Sequence, residues 1–146
     1  MIRHVFKRTL DKVLKHYSIA PNEYIISSGG ALLMYGLREA SRDIDISVCK
    51  RVWDILEKKF TVTSYGDAHP LVIHSFFQGI EVEFYADFKK VDMESETIDG
   101  VRVLDLAGVL FEKEHRVPQT ERDLRDIKAI KELMARRAKA PASFHW

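Results

Sequence analysis

Apolar residues recur every three to four positions at the start of the chain, at Ile2, Val5, Phe6, Leu10, Val13, Leu14 and Tyr17. That spacing predicts a one-faced amphipathic helix over residues 2–17, broken from Ser18 to Pro21. Tyr24-Ile25-Ile26-Ser27 is a short apolar run ending at Gly29-Gly30, and it predicts a buried strand running into a tight turn. Ala31 to Tyr35 favours helix and stops at Gly36, a residue suited to a helix C-terminus. Asp43 to Val48 alternates strictly between polar and apolar, the pattern of a strand with two unlike faces. Val52, Ile55 and Leu56 predict a helix around Arg51–Lys59. Leu71–Phe77 and Ile80–Tyr85 are β-rich runs around Gln78-Gly79, which predicts an antiparallel hairpin. Glu94–Gly100 is polar and is expected to be a loop. Asp105 is placed to cap a helix carrying Leu106, Val109, Leu110 and Lys113 to His115. Pro118 ends it, and Thr120 with Asp123 three residues on predicts a capping box for a last helix to about Ala138. The tail from Ala140 to Trp146 has no clear period.

This order predicts an α/β (α+β) fold, a small mixed β-sheet flanked by helices with two helices at the C-terminal end. One domain is expected over residues 1–146, with a core over about residues 1–103 and a helical part over about 104–138. The composition changes little in this picture. Of 146 residues, 46% are apolar and 31% charged, which is enough chain for a core without disulfides or structural metal. A formal charge of +1 argues against a protein that coats nucleic acid or membrane, while leaving room for a local basic patch. Cys49 is the sole cysteine, which suits a reducing cytoplasm, and neither a signal peptide nor a membrane span is read in the sequence. A cytoplasmic protein is expected.

Candidate chemistry begins with the alternating strand. Asp43 and Asp45, two residues apart, project from the same face about 7 Å apart along the strand. Like charges that close repel unless a cation lies between them. Paired aspartates suit Mg²⁺ or Mn²⁺, which bind through one or two carboxylates plus substrate phosphates. Ser27-Ser28-Gly29-Gly30 lies between a strand and a helix, where glycines let backbone amides approach an anion. In the predicted hairpin, Glu81 and Glu83 share a face opposite Ile80, Val82 and Phe84. Either supplies the third carboxylate that a two-metal phosphoryl-transfer site requires. The histidines are scattered without zinc-like spacing.

The stretch Ser28–Val48, SGGALLMYGLREASRDIDISV, resembles the signature of the DNA polymerase β-like nucleotidyltransferase superfamily. In that signature an apolar residue and a Gly-Gly or Gly-Ser pair are followed, roughly a dozen residues later, by an Asp-apolar-Asp strand. It is similar above all to small standalone nucleotidyltransferases and to the toxin-type enzymes of toxin–antitoxin systems. There a Gly-Gly-Thr-Ala-like turn leads to Arg-x-Thr-x-Asp-Ile-Asp. Ser41 stands at the threonine position and Asp43-Ile44-Asp45 matches outright. Glu39 occupies the arginine position, with Arg38 one residue before it.

The resemblance implies a nucleoside triphosphate substrate, Mg²⁺ (or Mn²⁺), and a hydroxyl acceptor on RNA, tRNA, a protein or a small molecule. Asp43, Asp45 and Glu83 would be the metal-binding and catalytic acids. Glu83 is preferred as the third acid over Glu81 because it lies deeper in the strand, and Asp87 is a third choice. Ser28, Gly29 and Gly30 would cradle phosphates, and Arg38 and Arg42 would clamp the triphosphate. Toxin-type members also carry a lysine on a later helix, here Lys113, and a Lys-Asp-x-x-Asp element. That element appears here as Arg122-Asp123-Leu124-Arg125-Asp126, where Glu121–Arg125 and Arg122–Asp126 are also spaced as ordinary surface pairs. A partner protein or homodimer would supply acceptor recognition. The competing expectation is a binding module, half of a toxin–antitoxin pair, that holds nucleotide or a partner protein without turnover.

Overall fold

The alternation of Asp43–Val48 becomes the central strand of a seven-stranded mixed sheet. A computed structural model describes residues 1–140, so Pro141–Trp146 of the predicted unperiodic tail lie outside the described residues. The chain divides into two compact units, Met1–Asp105 and a second from Leu106 on.

In the first unit, α1 (Arg3–His16) leads through a short 3-10 turn to β1 (Tyr24–Ile26), α2 (Ser28–Met34) and β2 (Ile44–Val48). Next come α3 (Lys50–Leu56), β3 (Val62–Thr63), β4 (Val72–Phe77) and β5 (Ile80–Tyr85). The short helix α4 (Phe88–Val91) then precedes β6 (Ser95–Ile98) and β7 (Val101–Leu104). The sheet order is β3-β4-β5-β2-β1-β7-β6. Strand β2 runs parallel to β5 and antiparallel to β1, and β1 runs parallel to β7. The register sets Ile44 beside Val82 and Ile46 beside Phe84, and all four are at most 1% exposed. Phe6, Leu10 and Val13 of α1 are fully buried, and Tyr17 just past its end meets Phe84 edge-on at 5.5 Å. The apolar face of the sheet is therefore the core. Strand alternation sends Asp45, Ser47, Glu83 and Tyr85 to the opposite face.

Two expectations need correction. The segment Glu94–Gly100, expected as a polar loop, holds β6 and a turn at Asp99 and Gly100, whose φ values are 50° and 79°. That turn pairs β6 antiparallel with β7. Gly29 and Gly30 do not form a loop before α2 but lie in its first turn, and neither has positive φ. The left-handed residue is Ser28, at φ 54°. The hairpin at Gln78-Gly79 forms as expected, with φ 50° and 81°.

The second unit is a pair of packed helices, α5 (Leu106–Glu114) and α6 (Glu121–Ala138). The capping box forms: the Asp123 amide donates to the Thr120 hydroxyl at 3.1 Å, and the Thr120 amide donates to Asp123 at 3.0 Å. Among the described residues, no helix is long and apolar enough to cross a membrane.

Candidate active site

The register of β2 against β5 sets Asp45 directly beside Glu83, and Asp43 precedes β2 by one residue. Asp43, Asp45 and Glu83 each present a carboxylate oxygen within 4.8 Å of the others. Ser41 shapes the approach to this strand, its hydroxyl donating to the Asp43 carbonyl at 2.9 Å. Asp45 Oδ1 is buried and accepts no hydrogen bond. Burial, then the charges of Asp43, Glu83 and Glu81, push the Asp45 carboxyl up to about 7, against a smaller downward pull from Lys90. A buried carboxylate oxygen without a donor is costly, and a bound cation relieves that cost. With all-oxygen donors on three carboxylates, the residues fit Mg²⁺ or Mn²⁺.

Glu83 is held at both oxygens. The Tyr85 hydroxyl donates to Oε2 at 2.6 Å, and His74 Nδ1 lies 3.3 Å from Oε1. Burial, followed by the Asp45 charge and the bond to Glu83, raises the Tyr85 hydroxyl, so it stays protonated as a donor. Glu81 stands two residue pairs along the hairpin. Its closeness to Glu83 raises its carboxyl, chiefly through the hydrogen bond between the two. Asp87 is instead drawn to Lys90, 3.5 Å away.

The start of α2 carries the second half of the site. A side chain at Gly29 would occupy the place of the Arg38 guanidinium, so the absence of Cβ lets Arg38 lie over the first turn of the helix. Gly30 has a different reason to be glycine. A Cβ there would come within 2.8 Å of both Phe6 and Ile26, so this position serves close packing. Lys90 reaches Ser27 Oγ at 3.5 Å while its charge acts on Asp45, which links the α2 turn to the acids. Arg42 is exposed beside Asp43, and Glu39 is exposed as well.

Lys113 belongs to the second unit, where it is 3% exposed. Its Nζ lies 3.5 Å from Asp123 and 3.1 Å from Asp126. Arg116 adds a contact to Asp123 at 3.2 Å. The carboxyl of Asp123 is lowered, first by the Thr120 backbone amide, then by the Thr120 hydroxyl, Arg116 and Lys113, against burial. Asp123 and Asp126 turn inward to Lys113, while Arg122 and Arg125 are exposed.

Lys90, Tyr85 and His74 carry no role in the sequence reading. Tyr85 continues the Glu81–Glu83 alternation and is readable from it. His74 faces Glu83 only through the hairpin register, and Lys90 arrives from a four-residue helix with no sequence signal.

Neither a protein-family model nor a curated protein matches the sequence. Solved structures do match in shape. A protein of Thermotoga maritima assigned as a nucleotidyltransferase superposes with a TM-score of 0.58 at 15% identity, covering 96% of this chain and 97% of its own. The protein JHP933 of Helicobacter pylori superposes with a TM-score of 0.54 at 16% identity, covering 89% of this chain and 66% of its own. At such identities the likeness is one of fold, and the fold is of the nucleotidyltransferase type.

Proposed function

We propose that the protein is a metal-dependent nucleotidyltransferase that moves a nucleoside monophosphate from a nucleoside triphosphate to a hydroxyl acceptor. The observation that carries this reading is the buried, donorless oxygen of Asp45 within reach of Asp43 and Glu83. These three residues would hold Mg²⁺ or Mn²⁺, which when bound neutralises charge on the triphosphate oxygens. Ser28, Gly29 and Gly30 offer first-turn amides that the helix itself leaves unpaired. Arg38, Arg42 and Lys90 supply cations for the β- and γ-phosphates. The acceptor oxygen bonds to the α-phosphorus as the bond to the bridging α–β oxygen breaks. Pyrophosphate leaves with that electron pair, and Glu83, oriented by Tyr85, takes the hydroxyl proton. Positioning and charge complementarity account for the rate.

Lys113, a nucleotide-binding candidate by the family resemblance, sits against Asp123 and Asp126 within its own helical unit, and the chemistry above does not require it. The acceptor is RNA, tRNA, a protein or a small molecule, and a toxin–antitoxin partner or second copy is a candidate for recognising it.

The test is incubation with each of four α-labelled nucleoside triphosphates, Mg²⁺, and either RNA or cell lysate. Wild type should label an acceptor and Asp45→Asn should not. Absence of labelling with every nucleotide, together with equal nucleotide stabilisation of wild type and Asp45→Asn, refutes the assignment.

A further inference from the structure

Strand β5 has β2 on one side and β4 on the other, and β4 brings a histidine to the far side of Glu83. His74, Glu81 and Glu83 each offer a ligand atom within 4.8 Å of the others. His74 Nε2 lies 2.8 Å from the Tyr65 hydroxyl, and the two rings meet edge-on at 6.1 Å. With Nε2 engaged by that oxygen, Nδ1 faces Glu83 Oε1 at 3.3 Å. An imidazole tied at its outer nitrogen and turned at its inner one toward carboxylates is the arrangement found in metal-ligating histidines. Nδ1 and the two carboxylates thus converge on one place.

We propose that His74, Glu81 and Glu83 form a second divalent-cation site, which takes a transition metal such as Mn²⁺ in preference to Mg²⁺. The chemistry of the donors sets that preference. Imidazole favours the transition ions, whereas Mg²⁺ keeps to oxygen ligands and waters. The His74 side chain is 35% exposed, so the open side admits water or a substrate oxygen. Glu83 is common to both sets of donors, and this joins the second site to the centre assigned above. The inference goes beyond that assignment, because it concerns metal binding by the chain alone and requires no transfer.

The experiment uses metal-stripped full-length protein without nucleotide, in excess Mg²⁺, titrated with MnCl₂ and followed by the electron paramagnetic resonance of free Mn²⁺. Wild type should bind Mn²⁺ with a ¹⁴N spin-echo modulation. His74→Ala should abolish that modulation and weaken binding at least tenfold, and Glu81→Gln should weaken it similarly. Asp43→Asn should retain the nitrogen signal, and Tyr65→Phe should weaken binding less than loss of a ligand. Circular dichroism checks that each variant is folded. Mn²⁺ bound equally by wild type and folded His74→Ala, or bound without nitrogen modulation, overturns the proposal and leaves His74 as a proton-bridged partner of Glu83. Mn²⁺ binding with these signatures in a protein that labels no acceptor would sustain this site and refute the transferase assignment alone.

Discussion

Asp45 and Glu83 stand directly opposite each other on parallel strands, so two carboxylates share one face of the sheet at the same register position. Like charges so placed work against folding unless something neutralises them. The sequence nevertheless holds them there with Ile44, Ile46, Val82 and Phe84, which are buried on the other face.

The pH dependence of the metal-free protein should report this conflict. The Asp45 carboxyl rises from its ordinary value of 3.8 to about 7 in the fold, so the folded state holds a proton that the unfolded state has released between those values. Stability should therefore decline as pH rises from about 4 to about 7, by an amount on the order of 4 kcal/mol from this group. Denaturant unfolding in EDTA across that range should show the decline in wild type and a much flatter profile in Asp45→Asn. Parallel profiles would remove the basis for a strained acidic pair.

Metal and nucleotide should reverse the strain. A Mg²⁺–triphosphate complex at a hundredfold excess over its dissociation constant should stabilise wild type by about 2.7 kcal/mol. The Asp45→Asn protein should gain much less in the same thermal unfolding series. Asp43→Ala or Asp45→Ala should lower transfer by far more than tenfold, and loss within about tenfold, roughly 1.4 kcal/mol of barrier, would show that these acids do not hold the metal.

Gly29 and Gly30 should separate cleanly on substitution. Gly30→Ala forces a methyl against Phe6 and Ile26 in the core and should cost about 1–3 kcal/mol of stability. Gly29→Ala meets the movable end of Arg38, so stability should change little while triphosphate affinity falls. Unfolding and nucleotide titration of the pair check this, and equal destabilisation by both would contradict it.

In the helical unit, Asp123→Ala should be severe. It takes one carboxylate partner from buried Lys113 and removes the Asp123 side-chain half of the α6 capping box, so a loss of about 3 kcal/mol is expected. Lys113→Met, which replaces the cation with an apolar chain of similar length, should cost less. Chemical denaturation of both variants gives the order.

Much of this architecture is legible because local periodicity and tertiary burial agree. The alternation at Asp43–Val48 and Ile80–Tyr85 marks strands that bury one face, and Gln78-Gly79 supplies the left-handed turn between β4 and β5. Strand β6 is not legible, since Ser95, Glu96 and Thr97 bury too little to leave an apolar rhythm. Asp99-Gly100 carries a hairpin signal there. Strand β3 has two residues, too few for any period. At the site, Asp43, Asp45 and Glu83 are legible through their shared face. The second reason for Gly30, the inward turn of Asp123 and Asp126, and the approach of Lys90 and His74 depend on contacts between elements far apart in sequence, which spacing along the chain does not encode.

Strand β2 is the fourth of the seven strands, with neighbours on both sides. Its amides should consequently be among the slowest in the chain to exchange with deuterium, opening only with the whole sheet, while β3 and β6 at the edges fray first. The acidic pair therefore rides on the segment that survives partial opening, and heat should extinguish metal binding at the global melting transition and not before it.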